Sequence, residues 1–413
     1  MLDIKFIREN PDLVLKAIEN RHDTAPIDTV LRLDAERRQK IGQLDSLRQE
    51  RKTISKESRE KAQERGRQLR AEIQAMEEAV RGLDSQLEEL LLQLPNIPLP
   101  DVPLGRDDAD NVTVRAWKEP RAFSFEPAPH WKLGEDLGII DFERGVKISG
   151  SRFYLLKGAG ARLQRALIAF MLDLHTREHG YKEIYPPFMV KRECMVGSAQ
   201  LPKFEDNIYH DAVDDLWFVG TAEIPLTNLH RDEILAGADL PLYYVAYTAC
   251  FRREKMSAGK DTRGIKRGHQ FDKVELYKFV APETSGDELE KLTRDAENVC
   301  QRLDLPYRLR QLCTGDLGFA SMKSYDIDVW APGCQEWLEV SSCSNCGDFQ
   351  ARRTNIRYRP APEARPQFVH TLNGSGLALP RIMIAVMENY QQADGRIAVP
   401  EVLQDFVRAK VIG

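Results

Sequence analysis

Tyr243-Tyr-Val-Ala-Tyr-Thr-Ala-Cys-Phe251 and Arg267-Gly-His-Gln-Phe-Asp-Lys-Val-Glu-Leu-Tyr-Lys-Phe279 are two runs rich in aromatic and apolar residues with the period-two alternation of β-strands. Residues 255–266 between them carry two Gly, a Ser and an Asp, the composition of a long loop, so the stretch predicts an extended antiparallel hairpin. Continued past Phe251, the alternation puts Arg252 and Glu254 on one face, opposite Phe251 and Arg253; on the returning strand Arg267, His269, Phe271, Lys273 and Glu275 share one parity. One sheet face then carries arginines, a phenylalanine and carboxylates. So many charges on a central strand are costly to bury unless they pair with one another or bind something, which favours a ligand over structural filler.

The side chains limit the ligand's chemistry. Arginines present bidentate forks to phosphate oxygens, an aromatic face stacks on a base, and carboxylates accept from an exocyclic amine or an ammonium group. ATP together with an amino acid uses all of them. Trp337-Leu-Glu-Val-Ser-Ser-Cys343 reads as a strand bearing Glu339 and the hydroxyls of Ser341 and Ser342, either hard oxygen ligands for Mg2+ on a triphosphate or an edge strand with a solvated Glu. Asn373-Gly-Ser-Gly376 reads as a turn before a helix, Leu377-Ala-Leu-Pro-Arg-Ile-Met-Ile-Ala-Val-Met387, that is apolar all round except for Arg381. Arg381 there calls for an anion, bound phosphate or a structural carboxylate, and Pro380 is tolerable only in the first turn. Neither G-x-x-x-x-G-K-[ST] nor a strand-associated G-x-G-x-x-G occurs, so side chains must hold any nucleotide.

Upstream the pattern changes. Residues 29–94 are charged and nearly free of Gly and Pro, and Leu69, Ile73, Met76, Val80, Leu83, Leu87, Leu90 and Leu94 alternate steps of four and three, the seam of a coiled coil. Val30, Leu33, Ile41, Leu44, Leu47 and Ile54 repeat it less cleanly, with Arg37 and Arg51 where the seam wants apolar residues. Two helices broken near residues 55–66 predict an antiparallel hairpin about 45 Å long. Its distal end is basic, with Arg48, Arg51, Lys52, Lys56, Arg59, Lys61, Arg65, Arg67 and Arg70 against Glu50, Glu57, Glu60 and Glu64, whereas residues 71–94 are acidic. Such a run is either a solvated helix surface or a tip that touches a phosphate backbone. Pro95, Pro98, Pro100 and Pro103 then read as an extended linker.

At 413 residues the chain has room for two or three domains, and its 30 % charged and 42 % apolar composition is that of a folded soluble protein. The balance of 59 basic and 64 acidic side chains excludes nonspecific coating of nucleic acid by bulk charge, but not a local basic patch. No run approaches a membrane span and the N-terminal residues lack a signal-peptide pattern, so a cytoplasmic location and no membrane partner are expected. Seven irregularly spaced cysteines argue against a disulfide framework; Cys343-Ser-Asn-Cys346 reads as structural thiols rather than half a zinc site.

Phe251-Arg252-Arg253-Glu254 with Arg267-x-x-x-Phe271 resembles motif 2 of the class II aminoacyl-tRNA synthetases, Gly374-Ser-Gly-Leu-Ala-Leu-Pro-Arg381 resembles motif 3, and the helical run 161–180 ending in Tyr185-Pro186-Pro187 resembles motif 1. More narrowly, Thr221-Ala222-Glu223, His269-Gln-Phe-Asp-Lys-Val-Glu275, Cys313-Thr-Gly-Asp-Leu-Gly318, Ser341-Ser-Cys-Ser-Asn345 and His370-Thr-Leu-Asn-Gly-Ser-Gly376 resemble the seryl-tRNA synthetase family. The resemblance implies an α+β protein: residues 1–105 as a tRNA-binding domain with a coiled-coil arm at about 29–94, and residues 106–413 as a catalytic domain on an antiparallel six-stranded sheet flanked by helices. It further implies a cytoplasmic homodimer that activates L-serine with ATP and Mg2+ and transfers it to tRNA(Ser) held through the arm, with tRNA(Sec) as a further substrate.

Carried over residue by residue, Arg252 and Arg381 are the catalytic cations, on the α-phosphate and the terminal phosphates. Arg253 joins the ATP contacts, Glu254 takes the adenine amine and Phe271 stacks on the base. Glu339, Val340, Ser341 and Ser342 form an ATP-binding run in which Glu339 and Ser342 hold Mg2+; strand parity instead pairs Glu339 with Ser341, so Ser342 requires a strand end or a bulge. Thr221, Ala222, Glu223, Glu275 and Ser375 line the serine pocket. Two other readings make different demands. A ligase that loads a protein carrier has no use for the heptads of the arm, and an RNA-binding scaffold has none for Arg252, Glu254, Glu339 and Arg381 together.

Overall fold

The computed structural model describes residues 1–54, 59–255 and 263–413, with backbone alone for residues 59–62. The chain divides into two compact units, residues 1–97 and 98–413.

The first unit is helical: α1 (Ile4–Glu9), α2 (Pro11–Asn20), α3 (Ile27–Thr53) and α4 (Arg59–Leu91). Asp3 caps α1 by accepting from the amides of Lys5 and Phe6, and Pro11 opens α2, where its missing N–H costs nothing. The long helices α3 and α4 run antiparallel, as their cross-pairs Arg37–Asp84, Arg48–Glu77 and Glu50–Arg65 show. Val30, Leu33 and Leu44 of α3 and Leu69, Ile73, Leu83 and Leu87 of α4 are buried, the seam the heptads predict. Arg37 occupies a seam position because Asp84 of α4 pairs with it. At the end of α4, Leu91 is buried more fully than Leu90, since steps of three and four from Leu87 both reach the covered face. Helix α4 already runs from Arg59, so the predicted break at 55–66 is shorter than expected; residues 55–58, Lys56 among them, and the side chains of Arg59 and Lys61 lie outside the described residues.

In the second unit an eight-stranded sheet is built from β1 (Val112–Trp117), β2 (Lys182–Glu183), β3 (Leu242–Phe251), β4 (Gln270–Val280), β5 (Tyr307–Gln311), β6 (Lys323–Ala331), β7 (Glu336–Gly347) and β8 (His370–Ala378), in the order β1-β5-β6-β7-β8-β4-β3-β2. All its pairings are antiparallel except that of short β2 with β3. The expected six strands are thus extended by β1 at one edge and β2 at the other. The helices that position the site are α5 (His130–Asp136), α6 (Ala159–Arg177), α7 (Glu223–Thr227), α8 (Ser285–Arg302), α9 (Phe349–Thr354) and α10 (Leu379–Asn389). Helix α6 buries Leu163, Ala166, Leu167, Phe170, Met171 and Leu174, a stripe at helical spacing that joins Leu276, Leu292, Ile327, Ile382 and Val386 in one core.

Three sequence expectations are corrected here. Residues 98–105 belong to the second unit: Leu99 donates its amide to the Met322 carbonyl at 2.9 Å, and Val102 is buried against Leu312 and Leu317, so the boundary falls after Ile97 rather than at Gly105. The strand alternation does not run through Arg252 to Glu254, because β3 ends at Phe251, Glu254 has φ 52°, and β4 begins only at Gln270. Asn373-Gly-Ser-Gly376 is no turn but the middle of β8, and the helix starts two residues later, at Leu379, with Pro380 in its first turn as its chemistry requires.

The glycines of β8 answer to crowding. A Cβ on Gly374 would lie 2.5 Å from Leu292 Cδ2 of α8 and 2.9 Å from Cys343 Sγ of β7, and Gly376 is the extra residue where the β4–β8 register shifts, facing His175 of α6. Gly374→Ala is therefore expected to destabilise the protein by about 1–3 kcal/mol through overpacking, read as a lower midpoint of denaturant unfolding. An unchanged midpoint would mean that α8 yields freely.

Candidate active site

A cleft of about 510 Å3 opens where β3, β4, β7 and β8 meet the first turns of α7 and α10. Arg252, Glu254, Lys266, Arg267, Phe271, Glu339, Val340, Ser342 and Arg381 line it, together with Thr221, Glu223, Lys273, Asn373, Glu275 and Ser375. Lysines and arginines thus alternate with carboxylates inside one concavity.

Its outer part is the more exposed. Arg381 Nη1 donates to the Glu339 carbonyl at 2.6 Å and lies 3.3 Å from its carboxylate. Arg252 donates through Nε to the Gly220 carbonyl at 3.1 Å, with its guanidinium 5.2 Å from the centre of the Phe271 ring. Glu254 lies 3.6 Å from Arg267. Between Ile327 and Asp328 the β6–β7 register shifts by one residue and leaves Val340 as a bulge. That bulge brings Glu339 and Ser342 to the same cleft, where strict parity would have brought Glu339 and Ser341.

Behind Ser342 stands Asp326, its register partner on β6, which accepts from the Ser342 hydroxyl and keeps Oδ1 buried without a hydrogen bond. Burial and the neighbouring Glu339 push its carboxyl well above the usual range. A carboxylate and a hydroxyl lining the cleft, backed by an orphaned carboxylate oxygen, form a hard donor set that fits a magnesium ion.

The inner part is nearly inaccessible. Thr221, Lys273, Glu275, Ser375 and Asn373 are buried, Glu275 sits opposite Ser375 in register, and Lys273 Nζ lies 2.5 Å from Glu275 Oε2. Thr221 Oγ1 accepts the Glu223 amide at 3.2 Å at the start of α7. Glu223 Oε1 receives Gln350 Nε2 at 2.6 Å and Asn373 Nδ2 at 3.3 Å. Gln350 is itself oriented, since its Oε1 accepts from Tyr277 Oη at 3.0 Å and Thr371 Oγ1 at 2.7 Å. Burial first, and then the nearby Glu275, push the Glu223 carboxyl up to about 7. A buried acid of that kind beside polar hydroxyls suits a ligand ammonium.

Three expected contacts are turned away from the cleft. Arg253 points to the other side, opposite Arg252 as simple alternation places it, donating to the Ile208 carbonyl at 3.0 Å and stacking on Tyr209. Ser341 is buried and donates to the Ser375 carbonyl at 2.6 Å, since the bulge at Val340 reverses its side. Ala222 is packed with Leu226, Tyr244 and Phe279, so its side chain serves the core. His269, placed by parity with Phe271, instead takes the Arg252 carbonyl as the partner of its Nδ1 at 3.0 Å. Gln350 went unread in the sequence: it lies inside a short helix, and no spacing signals a side chain that acts through another.

Residues 1–98 match the family Seryl-tRNA synthetase N-terminal domain, and residues 203–390 match tRNA synthetase class II core domain (G, H, P, S and T). A serine–tRNA ligase of Dehalococcoides mccartyi is 63 % identical over 412 residues, covering 100 % of both chains. The chain belongs to the seryl-tRNA synthetase family. A serine–tRNA ligase of Thermomicrobium roseum is 57 % identical, with 98 % of this chain and 93 % of that one covered. Among solved structures, a seryl-tRNA synthetase from Pyrococcus horikoshii complexed with ATP superposes with a TM-score of 0.95 at 41 % identity, covering 100 % of this chain and 99 % of that one. The M. kandleri enzyme in complex with A. aeolicus tRNASec shares the fold at a TM-score of 0.60 and 16 % identity, over 82 % of this chain and 68 % of that one. Among the described residues no helix is long and apolar enough to cross a membrane.

The elevated Glu223 carboxyl has a measurable consequence. It is largely protonated near pH 6 and largely ionised near pH 8, and only the ionised form attracts an ammonium group. The KM for the amino acid is therefore expected to fall several-fold as pH rises across that window, while Glu223→Gln raises KM and flattens the profile. A steep profile retained in Glu223→Gln would assign the titration elsewhere.

Proposed function

We propose that this protein is a serine–tRNA ligase, acting in the cytoplasm as a homodimer, that forms seryl-adenylate from L-serine and ATP and passes the seryl group to the 3′ end of tRNA(Ser), and of tRNA(Sec) where that tRNA exists. The observation that carries the reading is the union, in one cleft, of an outer set that suits a triphosphate (Arg252, Arg381, Glu339, Ser342) with a buried acidic pocket that suits an amino acid (Glu223, Glu275). Family membership and the printed activity of relatives 63 % identical over the whole chain support it.

In the first step the serine carboxylate attacks the α-phosphorus in line and pyrophosphate leaves. A carboxylate needs no general base, so the protein's work is alignment and neutralisation of charge. Arg252 neutralises the α-phosphate, Phe271 stacks on the adenine, Glu254 accepts from its amino group, and Arg381 takes the terminal phosphates after leaving its exposed pairing with Glu339. Glu339 and Ser342 would hold Mg2+, with the Val340 bulge aiming them. When bound, that ion adds positive charge against the triphosphate oxygens. In the inner pocket Glu223 holds the serine ammonium, while Thr221, Glu275 and Ser375 surround the side chain. Alanine would leave these buried polar groups unpaired, and pocket size excludes threonine. In the second step a terminal ribose hydroxyl of the tRNA attacks the seryl-adenylate carbonyl and AMP leaves.

Serine-dependent exchange of pyrophosphate into ATP, with threonine, alanine and glycine as comparisons, tests the first step. Arg252→Ala is expected to lower its kcat/KM by at least about a hundredfold, the scale of losing one preorganised transition-state contact. Exchange left intact would remove Arg252 from the reaction. The arm is tested separately. Arg51 and Lys52 are exposed near the end of α3, and Arg51→Glu with Lys52→Glu is expected to raise the KM for tRNA(Ser) about tenfold, and to do so more at low salt, while leaving exchange unchanged. An unaltered tRNA KM would assign the basic run to a solvated surface.

A further inference from the structure

Buried His130 and Glu388 form, with half-buried Cys334, a cluster that neither the nucleotide nor the serine contacts require. Glu388 lies on α10 seven residues beyond Arg381, and its carboxylate is fully engaged. Oε1 accepts the His130 amide at 2.9 Å, His130 Nδ1 at 2.9 Å and Cys334 Sγ at 3.0 Å; Oε2 accepts the amides of Gly333 at 2.9 Å and Cys334 at 3.0 Å. The imidazole's other nitrogen, Nε2, lies 3.2 Å from the amide nitrogen of Ile265. An amide can only donate, so Nε2 is the acceptor and Nδ1 carries the proton. A metal on Nδ1 would require the opposite tautomer, so the geometry speaks for a hydrogen-bonded clamp rather than a cation site.

What the clamp holds is residues 263–267, the approach to β4. Gly264 has φ +74°, and a Cβ there would overlap His130 Nε2, so the chain passes against the imidazole as only glycine allows. Ile265 is buried in the main core, and the two residues that follow, Lys266 and Arg267, line the nucleotide end of the cleft. Lys266 is tied to Glu336 at 2.5 Å and Arg267 faces Glu254.

We propose that His130 is a positioning residue for ATP. Held by Glu388, it docks the approach to β4 through Ile265 onto the helix that carries Arg381, and thereby sets Lys266 and Arg267 against the nucleotide. The inference rests on the ATP-site reading above and extends it to a residue that touches no substrate.

Three full-length variants test it in serine-dependent pyrophosphate exchange. Gly264→Ala, at a partly exposed position, and His130→Leu are each expected to raise the KM for ATP about tenfold, with the KM for serine unchanged within about twofold. His130→Gln, whose amide offers both a donor and an acceptor, is expected to recover most of the loss. Both Gly264→Ala and His130→Leu are expected to lower the thermal midpoint, so each is assayed well below its own midpoint, where a rise confined to the KM for ATP separates positioning from a general loss of folded protein. An ATP KM unchanged in Gly264→Ala, or an equal rise in the KM for serine, would overturn the proposal. Arg252→Ala in the same assay judges the ATP-site reading independently of how the Gly264 variant behaves.

Discussion

Lys273 and Glu275 stand two residues apart on an interior strand, 7 % and 1 % exposed, with their charged atoms 2.5 Å apart. Removing two charges from water costs several kcal/mol each, so neither could be buried in the middle of this sheet without the other. Their pairing gives the sheet an ionic floor at the bottom of the cleft, and the rest of the pocket is organised around it. Glu275 pushes the Glu223 carboxyl up while Lys273 partly offsets that push, leaving a carboxyl suited to a cationic ligand. Gln350 then aims Glu223, and Tyr277 and Thr371 aim Gln350. The chain of hydrogen bonds runs from the core outward to the cleft.

Irregularities of the sheet aim the remaining groups. A regular strand alternates its side chains, so a donor pair three residues apart cannot face one side unless a residue is inserted. Val340 supplies that insertion in β7, and Glu339 and Ser342 share the cleft because of it. Gly376 supplies another in β8, bringing Ser375 opposite Glu275. Both sit where the sheet meets helices α8 or α6 or the cleft itself, so pairing lost at a bulge is exchanged for side chains aimed at a ligand.

Much of this was legible in the chain's own pattern. The heptads of α4 appear as a buried seam, and the anomalous Arg37 turned out to be answered by Asp84 from the other helix. The parity of Phe271, Lys273 and Glu275 holds because β4 is regular there. Arg252 and Glu254 line the cleft and Arg253 does not, the sides that alternation gives them, although the strand itself has ended at Phe251 and Glu254 has a positive φ. The rule failed at Ser341, where the bulge intervenes.

By itself, then, the sequence determined the classes of element and the kinds of chemistry: a long helical hairpin before a mixed core, arginines and carboxylates where a phosphate and an ammonium would want them, and the motif order that marks the family. These are local properties, set by side-chain periodicity over a few residues. Which of two neighbouring serines faces the cleft, whether two glycines make a turn or relieve a crowded sheet, and that His130 reaches Ile265 across 135 positions of chain were decided only by the tertiary structure. The physical reason is that register, bulges and close approach are settled between strands and helices distant in sequence, where the packing of one against another, rather than any local preference, selects among conformations that the chain alone leaves nearly equal.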